Sequence, residues 1–419
     1  MNILIKSATI IDPSSEFHNK TQDLLIEDGI ISKIANSIEN AKGFQEIQLD
    51  NLHISQGWFD SSVCFGEPGF EERETIANGL NTAAASGFTT VGMNANSYPV
   101  IDSNSDITFV NSKANGHAVN LLPIGALTCG SKGEDLAELY DMSTAGAVAF
   151  YDYKKPVSNP NLLKIALQYA GNFNGLVCSF PQENKIAGHG VMNENVTSTT
   201  LGLKGIPTLA ESMQVARDLF LLEYTGGKLH IPTISTAESV ALIREGKRKG
   251  LDVSCSVAIH NLYFTDNVLN GFNTHYKVLP PLRTQKDIEA LMEGLEDGTI
   301  DMVTSDHNPI DIEHKKIEFD HAAYGSIGLE SAFGALKTKF TLDKTIELLT
   351  QGKTRFGVDS LPINIGKALN ITLFNPEGAY TFSKGHINSK SHNAIFENES
   401  LTGHVYGIIS NNKIALKQP

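Results

Sequence analysis

The stretch Phe59–Ala95, FDSSVCFGEPGFEERETIANGLNTAAASGFTTVGMNA, decides how the chain is read. It leaves a short apolar run, turns through Gly66–Gly69, and passes into the helical segment ETIANGLNTAAAS. The segment GFTTVGMNA, Gly87–Ala95, then carries apolar and β-branched residues on both parities, as a strand buried on two faces does. A buried strand reached through a helix is a βα unit, which implies a parallel sheet.

The same alternation continues downstream. AGAVAFYDY follows the helical DLAELYDMS, GLVCSF follows NLLKIALQYA, and KLHIPTIS follows MQVARDLFLLEYTGG. DVSCSVAI follows ESVALIREGKRKG, and IDMVTSDHNP follows TQKDIEALMEGLEDG, where Thr284 reads as an N-cap. So many units predict an α/β fold of the TIM-like (β/α)8 barrel type rather than a doubly wound sheet. Before it, NILIKSATIID and DLLIEDGIISKIA are short strand runs with an Asp28-Gly29 turn. After about residue 365, ALNITLFNPEG, AYTF and HVYGIISNNKIAL return to β texture. The expected organisation is a β-sandwich built from both chain ends, residues 1–53 and 363–419, around a barrel over 54–362.

Composition narrows the function classes. A net charge of −14 argues against nucleic acid, whose phosphates need a basic surface. No segment approaches the roughly 18–20 apolar residues of a membrane span. The opening MNILIKSATIIDPSS alternates like a strand instead of following a secretory layout, so no membrane association and a cytoplasmic location are expected. Cys64, Cys129, Cys178 and Cys255 are scattered and read as buried free thiols.

Barrels of this kind carry their working residues at the carboxyl ends of the strands. The positions to inspect are Ser62 and Cys64, Asn96, Asp152, Ser179–Glu183, Thr233, Ser256–His260, and Asp306-His307.

Here the residues resemble a known family. LLIEDGIISKIA, the block from FDSSVCFGEPGFEE to NSYPVID, GLKGIPTLAES, KLHIPTIST, YKVLPPLR, DGTIDMVTSDHNP, YGSIGLE and GKALNITLFNPEG are similar, in order, to dihydroorotases of the long, multifunctional-complex type within the amidohydrolase superfamily. The resemblance implies zinc ions that activate a water against a cyclic amide. Their ligands would be a His-x-His pair, a bridging carboxylate or modified lysine, two later histidines and an aspartate.

On that pattern Ser62 and Cys64 stand in the His-x-His slots, and Gly66 replaces the arginine that binds substrate carboxylate. Phe180 or Pro181 takes the next histidine slot; His230 is kept, but Thr233 takes the ligating position beyond it. Leu279 replaces a substrate-clamping asparagine. Asp152 falls in the bridging slot, and Asp306 in that of the catalytic aspartate. His307, Asn96 and Gly325 match substrate contacts, and His260 the first histidine of a Pro-His-His segment. Of the six implied ligand positions, Asp152 and Asp306 keep the expected side chain, and Cys64 is the other group able to ligate.

Two carboxylates without imidazole hold zinc poorly. General-base help from one aspartate is worth about 10²–10⁴-fold, short of the ~10⁶ asked of an enzyme. The leading expectation is therefore a non-catalytic dihydroorotase homologue with no cofactor, a homo-oligomer, and a structural or regulatory partner of aspartate transcarbamoylase. The alternatives are an active zinc-dependent cyclic-amide hydrolase with a rebuilt site, and a small-molecule binding module using Asn96, His307 and Gly325.

Overall fold

The computed structural model describes residues 1–417. Eight parallel strands form the barrel in chain order: Trp58–Val63, Phe88–Met93, Asn120–Gly125, Ala149–Phe150, Leu176–Cys178, Lys228–Ile231, Val253–Ala258 and Met302–Thr304. The first and last strands meet where Val63 bridges His307 in parallel, and the Cys64 N–H donates to the His307 carbonyl at 2.7 Å.

The pleat sorts side chains into two cores. Leu176, Cys178 and Phe180 point inward with Phe59, Tyr151, Leu279, Met302 and Phe356, whereas Val177 joins the layer between strands and helices. That outer layer includes Leu163, Ile243 and Leu291, all fully buried. Each such side chain stabilises the fold by about 1.5–3 kcal/mol relative to exposure. Thr284 caps the helix Gln285–Glu296 in a box with Asp287.

Both chain ends enter one eight-stranded mixed sheet, in which His53–Gln56 lies between Ile3–Ile10 and Ile371–Thr381. The sheet curls around its own core of Ile5, Leu24, Ile54, Leu373 and Ile409 until the Ile31 N–H reaches the Lys367 carbonyl. The Asp28-Gly29 hairpin has both residues left-handed, at φ 52° and 80°, which a two-residue turn between twisted strands requires. Trp58 welds the two units together. Its indole stacks on Phe333 at 4.9 Å, touches Phe374 at 5.6 Å, and donates to Ser55 Oγ at 2.9 Å.

Three expectations shift. The sheet keeps His53–Gln56, so the chain passes into the barrel between Gln56 and Trp58 rather than after residue 53. The third barrel strand, Asn120–Gly125, went unread because Pro123 interrupts its short apolar run. Cys129 is exposed; only Cys64, Cys178 and Cys255 are buried. Among the described residues, no helix is long and apolar enough to cross a membrane.

Candidate functional site

The site grows from the join between first and last strands. Asp60 is buried there and accepts from the Ser62 N–H at 3.0 Å, the Ser305 N–H at 2.8 Å and the Thr304 hydroxyl. This turns Ser62 toward Asp306: Ser62 Oγ lies 3.5 Å from Asp306 Oδ1 and accepts from Asn94 Nδ2 at 3.0 Å. The same amide lies 3.7 Å from Cys64 Sγ. Burial pushes the Cys64 thiol up to about 12, so near neutral pH it is a thiol and not a thiolate ligand.

The partner of Asp306 is a residue that sequence reasoning missed. Lys154 Nζ donates to Asp306 Oδ2 at 2.7 Å, with side chains 8% and 2% exposed. Tyr153 adds its hydroxyl 3.4 Å from Asp306 Oδ1, and the Lys154 ammonium lies 5.1 Å from the Tyr153 ring centre. Burial raises the Asp306 carboxyl above the usual carboxylate range, against the pull of the Lys154 charge. Asp306 and Lys154 both hold left-handed backbone, at φ 49° and 53°, as Thr233 does at 54°. Strain of that kind costs about 1–3 kcal/mol per residue and gathers where a fold over-determines side-chain direction.

Asp152, expected as the bridging carboxylate, faces the other way. It accepts from the Leu127 and Thr128 N–H groups at 2.9 and 3.0 Å and from the Thr128 hydroxyl, anchoring the loop after the third strand. The pleat explains the correction: Tyr151 and Tyr153 pack with the barrel interior, so the residue between them points out. Parity was the signal available in AFYDYKK.

The other positions are brought to the mouth with mixed outcomes. His307 is fully buried and accepts at Nδ1 from the Gly328 and Leu329 N–H groups at 3.2 and 3.4 Å. Its Nε2 has no partner, and burial holds its pKa down to about 4. Asn96 Oδ1 and His260 Nε2 are likewise buried without a partner. The Gly325 N–H donates to Lys277, and its carbonyl accepts from Asn393 Nδ2 at 3.2 Å, so its backbone is already used.

His230 lies between the Ser254 and Ser256 hydroxyls at 2.8 and 3.3 Å, an interior hydrogen-bonded histidine. Thr233 Oγ1 is buried without a partner. Of the two alternatives at the next slot, Phe180 joins the interior apolar cluster with Leu279, while Pro181 is buried beside it. A Cβ on Gly66 would lie 1.9 Å from the Phe70 carbonyl oxygen, so a longer residue there needs backbone movement.

Zinc asks for three or four converging imidazole, thiolate or carboxylate ligands. Among the described residues no group of three or more such side chains could hold a metal ion. Asp306 is the carboxylate at the mouth and is held by an ammonium, while Ser62, Tyr153 and the Cys64 thiol are weak ligands. The donor set does not fit zinc.

A Dihydro-orotase-like family model matches residues 53–239. A protein named Dihydroorotase from Pelotomaculum thermopropionicum is 39% identical over 425 residues, covering 100% of this chain and 99% of its own. Another of that name from Geotalea daltonii is 37% identical over 426 residues, covering 100% of both. Among solved structures, L-hydantoinase from Arthrobacter aurescens superposes with a TM-score of 0.83 at 18% identity, over 100% of this chain and 98% of that one. D-hydantoinase from Thermus sp. gives 0.83 at 19%, over 99% and 95%. These two show the fold: a parallel-stranded (β/α)8 barrel with a separate β domain. With full-length identity well above a third, the chain belongs to the dihydroorotase family.

Proposed function

We propose that this chain is a dihydroorotase-like protein of pyrimidine biosynthesis whose barrel mouth does not hydrolyse a cyclic amide, and that it serves as a structural or regulatory partner of aspartate transcarbamoylase. The observation that carries the first part is the Lys154–Asp306 pair. To act as a general base Asp306 would have to give up its 2.7 Å charge-assisted bond to the Lys154 ammonium, which opposes the upward pull of burial on its proton affinity. Phe180 or Pro181, together with Leu279, puts apolar surface where imidazole and amide are implied by the family pattern. A protein partner is supported by Leu209, Met213, Phe220 and Tyr224, all exposed on the helix Thr208–Thr225.

Three measurements on the purified, tagged chain test this: zinc content, dihydroorotate ring opening, and copurification of a transcarbamoylase subunit. The reading expects zinc well below one per chain, no turnover, and a bound subunit. Stoichiometric zinc with turnover overturns the first part, and a bare chain overturns the second. Converting Ser62→His and Cys64→His together is expected to yield no turnover, since the Phe180/Pro181 slot, Thr233, Gly66 and the Lys154 ammonium remain. Measurable activity in that variant would show that the other slots are misread.

The second reading is an active zinc-dependent hydrolase with a rebuilt site. The relatives favour it: proteins 37–39% identical across their whole length bear the name Dihydroorotase. Its material would be Cys64, Asp152, His260, Asp306 and His307, and the zinc and turnover measurements separate it from the first reading.

A further inference from the structure

A cavity of about 300 Å³ lies between the helix Leu329–Lys339 and the sheet strands Ile371–Thr381 and Ser400–Ser410. Glu330 lines it and is 2% exposed. One carboxylate oxygen is saturated: Oε1 accepts from Ser389 Oγ at 2.6 Å, Ser389 N at 3.0 Å and Asn388 N at 3.3 Å. The other, Oε2, is buried with no hydrogen-bond partner, and so is the hydroxyl of Ser86 on the same cavity. A bare carboxylate oxygen out of water costs free energy that a donor recovers, most of all a charged one. Phe333 and Tyr380 supply aromatic wall, the latter ring 5.0 Å from that of His386. Carboxylate and aromatic faces together attract an ammonium group.

We propose that this cavity is a binding site for a small organic ammonium ion, seated on Glu330 Oε2 with its alkyl stem against Phe333 and Tyr380. Nothing in the barrel-mouth reading requires it. His307 comes within 3.9 Å of Glu330 Oε2 at Nδ1, but that nitrogen already accepts two backbone N–H groups and is not a competing donor. Lys417 lines the cavity and is the tethered competitor.

The test is calorimetric titration and thermal shift of the full chain with n-propylammonium, with n-propanol as the uncharged match. Saturable binding of the ammonium and none of the alcohol is expected. Glu330→Gln keeps an Oε1 acceptor for Ser389 and is expected to weaken binding at least tenfold. Lys417→Met is expected to tighten it, and a response seen in Lys417→Met alone also supports the site, with the chain's own lysine as occupant. Equal response to propanol, undiminished binding by Glu330→Gln, or silence in both wild type and Lys417→Met overturns the proposal. None of these outcomes bears on zinc or ring opening, so this inference and the proposed function fail separately.

Discussion

Asp60 and Asp306 are both buried, on adjacent strands at the join of the barrel, and their charges are handled differently. Asp60 collects backbone N–H groups from Ser62 and Ser305 and the hydroxyl of Thr304, all from the two strands it ties. Asp306 depends on an ammonium from beyond the fourth strand, with Tyr153 and Ser62 at the margins. The first arrangement follows from barrel geometry and needs only small polar residues on neighbouring strands. The second needs one long side chain on strained backbone, so it is local to the mouth. The join and the mouth therefore answer to different constraints, although Ser62 serves both, its N–H on Asp60 and its hydroxyl beside Asp306.

Breaking the mouth is expected to cost most. Lys154→Met leaves Asp306 buried without a countercharge and should destabilise by about 3–5 kcal/mol in urea unfolding. Adding Asp306→Asn should recover most of that loss. If the single variant is as stable as the parent, the pair does not compensate charge. At the join, Asp60→Asn should cost about 1–3 kcal/mol, because an amide N–H₂ then faces donors that need an acceptor. A cost equal to that of Lys154→Met would mean that the two carboxylates are compensated alike.

Acid sharpens the comparison further. Burial holds His230 down to about 3 from an ordinary 6.5. The unfolded chain therefore takes up a proton below pH 6.5 while the folded one does not. Stability from this group is complete above 6.5 and falls by about 1.4 kcal/mol per pH unit on the way down toward 3. In His230→Asn the acid limb of urea midpoints should be shallower by one proton, and an unchanged limb would mean that His230 titrates normally. The smallest effect concerns thiols: a thiol reagent should modify Cys129 at once in the native chain, and Cys64, Cys178 and Cys255 only on unfolding. Rapid modification of Cys64 would mean that the mouth opens.

Legibility followed the range of the signal. The βα rhythm, the Asp28-Gly29 hairpin and the Thr284 cap were readable because each depends on residues a few places apart. Asn120–Gly125 was not, since Pro123 breaks the run on which strand recognition rests, and the polar helix Asn104–Ala114, with only Ile107 and Val110 buried, gave little periodicity. At the mouth, the family pattern located Ser62, Thr233 and Asp306 at strand ends. It put Asp152 in the wrong direction, although the parity of AFYDY held the answer.

The amino-acid order alone determined a repeating βα chain closed by β segments at both ends, and with that the barrel and the family, since pleat and helix periods are properties of near neighbours. Only the folded chain decided what stands beside Asp306. Lys154 is 152 residues away, and its reach depends on a left-handed backbone that no local pattern announces. The bare oxygen of Glu330 has the same origin: a polar group is left unpaired by what the tertiary packing places around it, which residue identity does not specify.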